Sequence, residues 1–112
     1  MTGLVYLASP YSHADPAERD KRFRQACVKA AQLMEAGNVV FAPIAHSHAV
    51  AAFMAEGMAT DHAFWMAQDL PILRRSDKLV VLMLDGWRES KGVRAELAAA
   101  LACGIPVEFI DP

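Results

Sequence analysis

The sequence predicts an α/β fold: a doubly wound parallel sheet of about four strands in the order 2-1-3-4. Three observations predict it. Short apolar runs alternate with longer stretches of helical periodicity along the whole chain. From Lys78 the chain is continuously apolar to Leu84, as a strand covered on both faces must be. Glycines 37 and 104 stand where helices must stop, because a missing Cβ permits the left-handed turn that ends them. The length, 112 residues, suits one domain spanning 1–112.

Leu4 to Ser9 reads as the first strand, ended by Pro10. Asp15, Pro16 and Glu18 then give an N-cap, a proline at the first helical position and a capping-box acid. That helix runs to about Ala36, with Phe23, Ala26, Cys27, Ala30 and Leu33 or Met34 at helical spacing. Asn38 to Ala42 is the second strand, and Pro43 ends it. His46 to Ala55 suits a helix broken at Gly57. Thr60 or Asp61 caps the next helix, which reaches about Arg75 with a kink expected at Pro71. Lys78 to Leu84 is the third strand. Ser90 caps a helix from Lys91 to Cys103, and Ile105 to Ile110 is the fourth strand.

Hydrophobic residues make up 54% and charged residues 21%, which excludes a disordered chain. Eleven basic residues against 13 acidic ones give a net charge of −2, so nucleic-acid polymers are not expected partners. No apolar run approaches the length that crosses a bilayer, and the N-terminus lacks a signal-peptide pattern. Cys27 and Cys103 fall in apolar helical stretches and are expected as buried free thiols, which suits the cytoplasm.

In a doubly wound sheet, ligands bind beyond the carboxyl ends of the strands at the switch point. For the order 2-1-3-4 that crevice lies between Ser9–Ser12 and Asp85–Gly92, so Ser9, Tyr11 and Ser12 are expected in contact with ligand. Ser90, Gly92 and the backbone N–H groups opening the next helix form an anion site, which Arg88 and Lys91 strengthen.

Two acids lie where a solvated charge would not. Asp69 shares its helix face with Trp65, Met66, Ile72 and Leu73. It is either buried with a partner or exposed at a cleft; the plainer alternative is that it marks the edge of the stripe or pairs with an arginine such as Arg74 or Arg75. Glu96 borders a stripe of Val93, Leu97, Ala100 and Leu101, near the helix end that faces the crevice. It is either a candidate nucleophile or an ordinary flank acid.

These residues resemble the nucleoside 2-deoxyribosyltransferase superfamily, in a compact bacterial branch similar to nucleotide N-glycosidases. The likeness rests on Val5-Tyr6-Leu7-Ala8-Ser9-Pro10-Tyr11-Ser12, Asp69 before a strand, Ser90, Glu96-Leu97-Ala98 and Gly104-Ile105-Pro106-Val107. It implies a flavodoxin-like three-layer sandwich acting on the N-glycosidic bond of a nucleoside or nucleoside 5′-monophosphate, by hydrolysis or transfer. Glu96 matches the family nucleophile, Tyr6 the tyrosine that positions it, and Asp69 an aspartate near base and sugar. Ser90 stands where transferases carry an aspartate for the sugar 5′-hydroxyl and nucleotide hydrolases carry serine. A serine donates to a phosphate that an aspartate would repel. The Ser9–Ser12 loop departs from the glycine-rich hydrolase form, and Pro10 removes one donor from it. A homodimer or homotetramer is also implied, since family pockets are shared between subunits.

In that chemistry one carboxylate stabilises or traps the anomeric carbon while the other assists the leaving base. Asp69, in the more apolar ring, is expected to have the higher pKa, and Glu96, near the helix end, to stay ionised. Trp65, Phe64 or Trp87 can stack on the base or simply fill the core. His46 and His48 follow the second strand at the crevice rim. No carboxylate completes a metal set with them, so neither metal nor cofactor is expected. The alternative function is a module on the same fold that binds or senses a nucleotide without chemistry.

Overall fold

The computed structural model describes residues 3–58 and 60–112. In chain order the elements are β1 (Leu4–Ala8), α1 (Pro16–Glu35), β2 (Val39–Phe41), α2 (Pro43–Ala51), α3 (His62–Arg74), β3 (Lys78–Leu82), α4 (Lys91–Ala102) and β4 (Val107–Ile110). The strands form one parallel sheet in the order β2-β1-β3-β4, the topology the sequence predicts. Tyr6 pairs with Phe41 on one side and Leu79 on the other, which fixes β1 at the centre.

Alternation along β1 and β3 divides the core in two, because successive side chains point to opposite faces. Tyr6, Ala8, Leu79 and Val81 pack with Leu73 of α3 and with Val93 and Ala100 of α4. Val5, Leu7, Val80 and Leu82 pack with Ala30 of α1 and Ala42. The result is three layers, with helices on both sides of the sheet.

The caps follow the sequence with one change. Asp15 accepts from the Ala17 N–H at 2.9 Å, and Asp61 from the Phe64 N–H at 2.9 Å. Glu18 does not close a capping box. The Asp15 N–H goes instead to His13 Nδ1 at 3.0 Å, and Glu18 faces Arg22 at 3.8 Å. Gly37 and Gly104 adopt φ of +99° and +68°.

Three expectations are corrected. Pro43 does not merely end β2; it opens α2 at the first helical position, where a missing N–H costs nothing, and α2 stops at Ala51 rather than Ala55. Leu101 is not core: it is 73% exposed, and Glu96 takes the place in the buried stripe of α4 assigned to it. Neither cysteine is fully buried. Cys27 is half-buried and Cys103, just past α4, is exposed. Pro71 lies inside a continuous α3.

Leu73→Ala is expected to lower the unfolding free energy by about 3 kcal/mol, since the side chain is fully buried against both α4 and the sheet. Leu101→Ala is expected to change it by less than about 0.5 kcal/mol. Urea denaturation of the two variants separates the true face of α4 from the one its apolar residues suggest.

Candidate active site

The β1–α1 and β3–α4 loops diverge at the carboxyl end of the sheet and leave a cavity of about 560 Å³. Ser9, Tyr11 and Ser12 line it from the first loop, and Gly86, Glu89 and Ser90 from the second. Lys91, Gly92 and Glu96 enter from α4, Trp65, Met66 and Asp69 from α3, and Ile44 and Ser47 from α2. Thr60, Asp61 and His62 form the remaining wall. The switch-point expectation therefore places the crevice correctly.

Both unusual acids are on its floor. Asp69 is 5% exposed and Glu96 4% exposed. Asp69 has no arginine partner; Arg75 turns back to the Pro71 carbonyl at 2.9 Å. Beneath Glu96, the Tyr6 hydroxyl donates to Oε2. Tyr6 is itself fully buried at the centre of the sheet, so its ring cannot swing away and the carboxyl is held by a rigid post.

The protonation order is the reverse of the one expected. Burial raises Glu96 to about 8; the Tyr6 hydrogen bond opposes this and the Asp69 charge adds to it. Burial raises Asp69 to about 6, with His46 opposing. Tyr6 is pushed far above the ordinary phenol value, first by burial and then by the two carboxylates. The helix end that was expected to hold Glu96 ionised is outweighed by desolvation, because the side chain is almost wholly out of water. At neutral pH the pair therefore holds about one proton, and the deeper burial of Glu96 favours placing it there.

The upper wall is built for an acceptor-rich ligand. Ser90 Oγ accepts from the Val93 N–H at 3.2 Å, which leaves its own proton to donate into the cavity. Arg22, which the sequence reading missed, spans both loops: it donates to the Ser12 carbonyl at 3.0 Å and to the Asp85 carbonyl at 3.1 Å. Gly86 makes room for it, since a Cβ there would lie 2.9 Å from Arg22 Nη2, and its φ of +87° also favours glycine. Among the described residues, the buried side-chain polar atoms without a hydrogen-bond partner are Ser9 Oγ, Ser47 Oγ and Arg22 Nε, the last with only the Glu18 carboxylate at 3.8 Å. All three residues line this cavity. Buried groups without hydrogen bonds are costly, so three of them on residues around one cavity make it the candidate ligand site.

Other candidates lie elsewhere. Arg88 does not line the cavity; its guanidinium lies over the Trp87 ring, 5.2 Å from the centroid, on the far side of the loop. Trp87 packs on Phe109 and Phe64 on Trp65, and of these three rings Trp65 lines the cavity. His46 acts on Asp69 through its charge, while His48 stacks on Phe23 behind the wall. Among the described residues no group of three or more His, Cys, Asp or Glu is placed to hold a metal, and no helix is long and apolar enough to cross a membrane.

Comparison with known proteins bears on the fold. A family model described as Domain of unknown function (DUF1937) matches residues 3–111. Among solved structures, a 2-deoxyribosyltransferase from the psychrotolerant bacterium Bacillus psychrosaccharolyticus shares the fold. It aligns with a TM-score of 0.69 at 22% identity, over 97% of this chain and 72% of its own. That enzyme is described as a biocatalyst for nucleoside synthesis. No curated protein sequence matches.

Proposed function

The chain belongs to the DUF1937 family, and on that footing we propose that it cleaves or exchanges the N-glycosidic bond of a nucleoside or nucleoside 5′-monophosphate. The observation that carries this reading is the floor of the cavity. Two carboxyls lie buried there, one of them held from below by a buried tyrosine, and burial raises both so that the pair holds about one proton at neutral pH. A structural acid pair would gain nothing from facing a cavity. A pair that must oppose an oxocarbenium-like centre needs this placement.

The reaction follows from the geometry. Tyr6 occupies Glu96 Oε2, so Oε1 is the free oxygen that meets the anomeric carbon. Binding a sugar whose positive charge grows in the transition state favours the arrangement in which Glu96 is ionised and Asp69 carries the proton. Net charge is unchanged by that shift. As the C1′–N bond breaks, Asp69 gives its proton to the departing base and Oε1 bonds to C1′. Water or a second base then attacks C1′ and displaces Glu96, and Asp69 takes up the proton the acceptor loses. Two inversions give net retention.

A 5′-phosphate is the favoured anion for the upper wall. Ser90 can donate to it, Lys91 and Arg22 supply positive charge, and the α4 N-terminus points at it. Trp65 is the aromatic surface for the base.

The deciding experiment is chromatography of a panel of nucleosides and their 5′-monophosphates incubated with the protein. Free base released by the wild type and not by Glu96→Ala supports the reading. Identical traces for both proteins across the panel would replace it with a non-catalytic nucleotide-binding module. The shared proton adds a second expectation: kcat/KM traces a bell, rising through about pH 6 as Asp69 ionises and falling through about pH 8 as the last proton leaves. A profile that keeps its height well below pH 6 and well above pH 8, with neither limb, would remove the paired-acid mechanism.

A further inference from the structure

One polar chain on the cavity wall is used by nothing above. The Tyr11 hydroxyl lies 2.7 Å from His48 Nδ1, and the two rings meet edge to face at 5.6 Å. Phe23 stacks on the imidazole at 4.1 Å and 19°, which fixes its plane. The other ring nitrogen, Nε2, faces the Asp20 carboxylate at 4.0 Å, and Arg24 fastens that carboxylate at 2.8 Å. A neutral imidazole has one N–H, and the nearby carboxylate charge favours placing it on Nε2. Nδ1 is then an acceptor, and the donor in reach is the Tyr11 O–H. Two more groups act on this phenol: Arg19, which can only donate, and the Asp20 charge, which opposes it.

We propose that Tyr11 is a specificity-determining residue: its proton is held by His48, so it presents an acceptor lone pair to the cavity and selects a ligand that brings a hydroxyl to this wall. The proposal rests on the sugar-bearing ligand proposed above and adds that sugar hydroxyls are read here. His48 is a positioning residue; it touches Tyr11 and not the ligand. A purely structural clamp between the first loop and α2 would need the same contact but would impose no preference on the ligand.

Two measurements on the full chain decide it. Long-range 15N–1H spectra of protein labelled at histidine are expected to show His48 as the Nε2–H tautomer, with its Nδ1 signal moving in Tyr11→Phe. A proton on Nδ1 would overturn the proposal without any ligand present. Calorimetric binding of the common ribonucleoside 5′-monophosphates and their 2′,3′-dideoxy counterparts is expected to favour the hydroxylated form by about tenfold in the wild type. Tyr11→Phe and His48→Phe, the latter keeping the stack on Phe23, are expected to reduce that preference to within about twofold. His48→Asn, which returns an acceptor near the Nδ1 position, is expected to restore part of it. A wild type that binds both forms equally, or binds neither, overturns the proposal, as does a preference that survives Tyr11→Phe. A preference that behaves as expected in a protein releasing no base would sink the glycosidic reading alone.

Discussion

Glu96→Gln is expected to lower base release by at least ~10³-fold while leaving a folded and more stable protein. The amide keeps the volume and still accepts from Tyr6, so the cavity floor is preserved. What is lost is the oxygen that bonds to C1′, and no neighbouring group can replace it, because Asp69 is needed for the leaving base. The stability gain has a definite sign. Glu96 is raised from 4.5 to about 8 in the folded chain, so between those values the folded state holds a proton that the unfolded state has released. Unfolding free energy of the wild type therefore falls as pH rises through that window. The glutamine has nothing to titrate, so the variant gains on the wild type across the window, reaching a few kcal/mol near pH 8 and no difference from this source below pH 4.5. Denaturant unfolding at several pH values, beside base release by chromatography, tests both halves. An inactive variant that is also less stable at pH 8 would mean a damaged fold rather than a missing nucleophile.

Asp69→Asn is expected to cost ~10²–10³-fold on natural nucleosides, the range of a lost general acid. The loss should depend on the leaving group. A 4-nitrophenyl glycoside leaves without a proton, so the variant should recover most of its rate on it. On that substrate the rate should rise with pH as Glu96 ionises, with no alkaline fall. The midpoint should lie below the wild-type value of about 8, because the Asp69 charge contributes to raising Glu96. An equal loss on both substrates would show that Asp69 orients the ligand and does not move a proton.

The parallel sheet was legible in the sequence because its signals are local and redundant. An unbroken apolar run at β3, helices ended by Gly37 and Gly104, and cap residues at Asp15, Asp61 and Ser90 all point the same way. The crevice followed from topology. The site was readable only to the depth that periodicity allows. Asp69 and Glu96 stood out as charges beside apolar neighbours, yet Leu97 and Leu101 drew the inferred core face of α4 away from Glu96. That error hid its burial and, with it, the order of protonation. Arg22 was invisible because an arginine four residues after Glu18 on a polar helix face reads as a surface pair. Its bonds to Ser12 and Asp85, like that of Tyr11 to His48, join residues far apart in the chain, and no local pattern encodes them.

The division of the cavity between floor and wall bears on how such a protein can diversify. Tyr6 and Glu96 are embedded in the packing that holds the sheet together, and Asp69 neighbours it, so changing them damages the scaffold along with the chemistry. Ile44, Ser47, Thr60 and His62 have no such entanglement, whereas Asp61 is tied down as the cap of α3. Adaptation to a different ligand therefore has an inexpensive route through those four positions, with the two buried acids left in place beneath them.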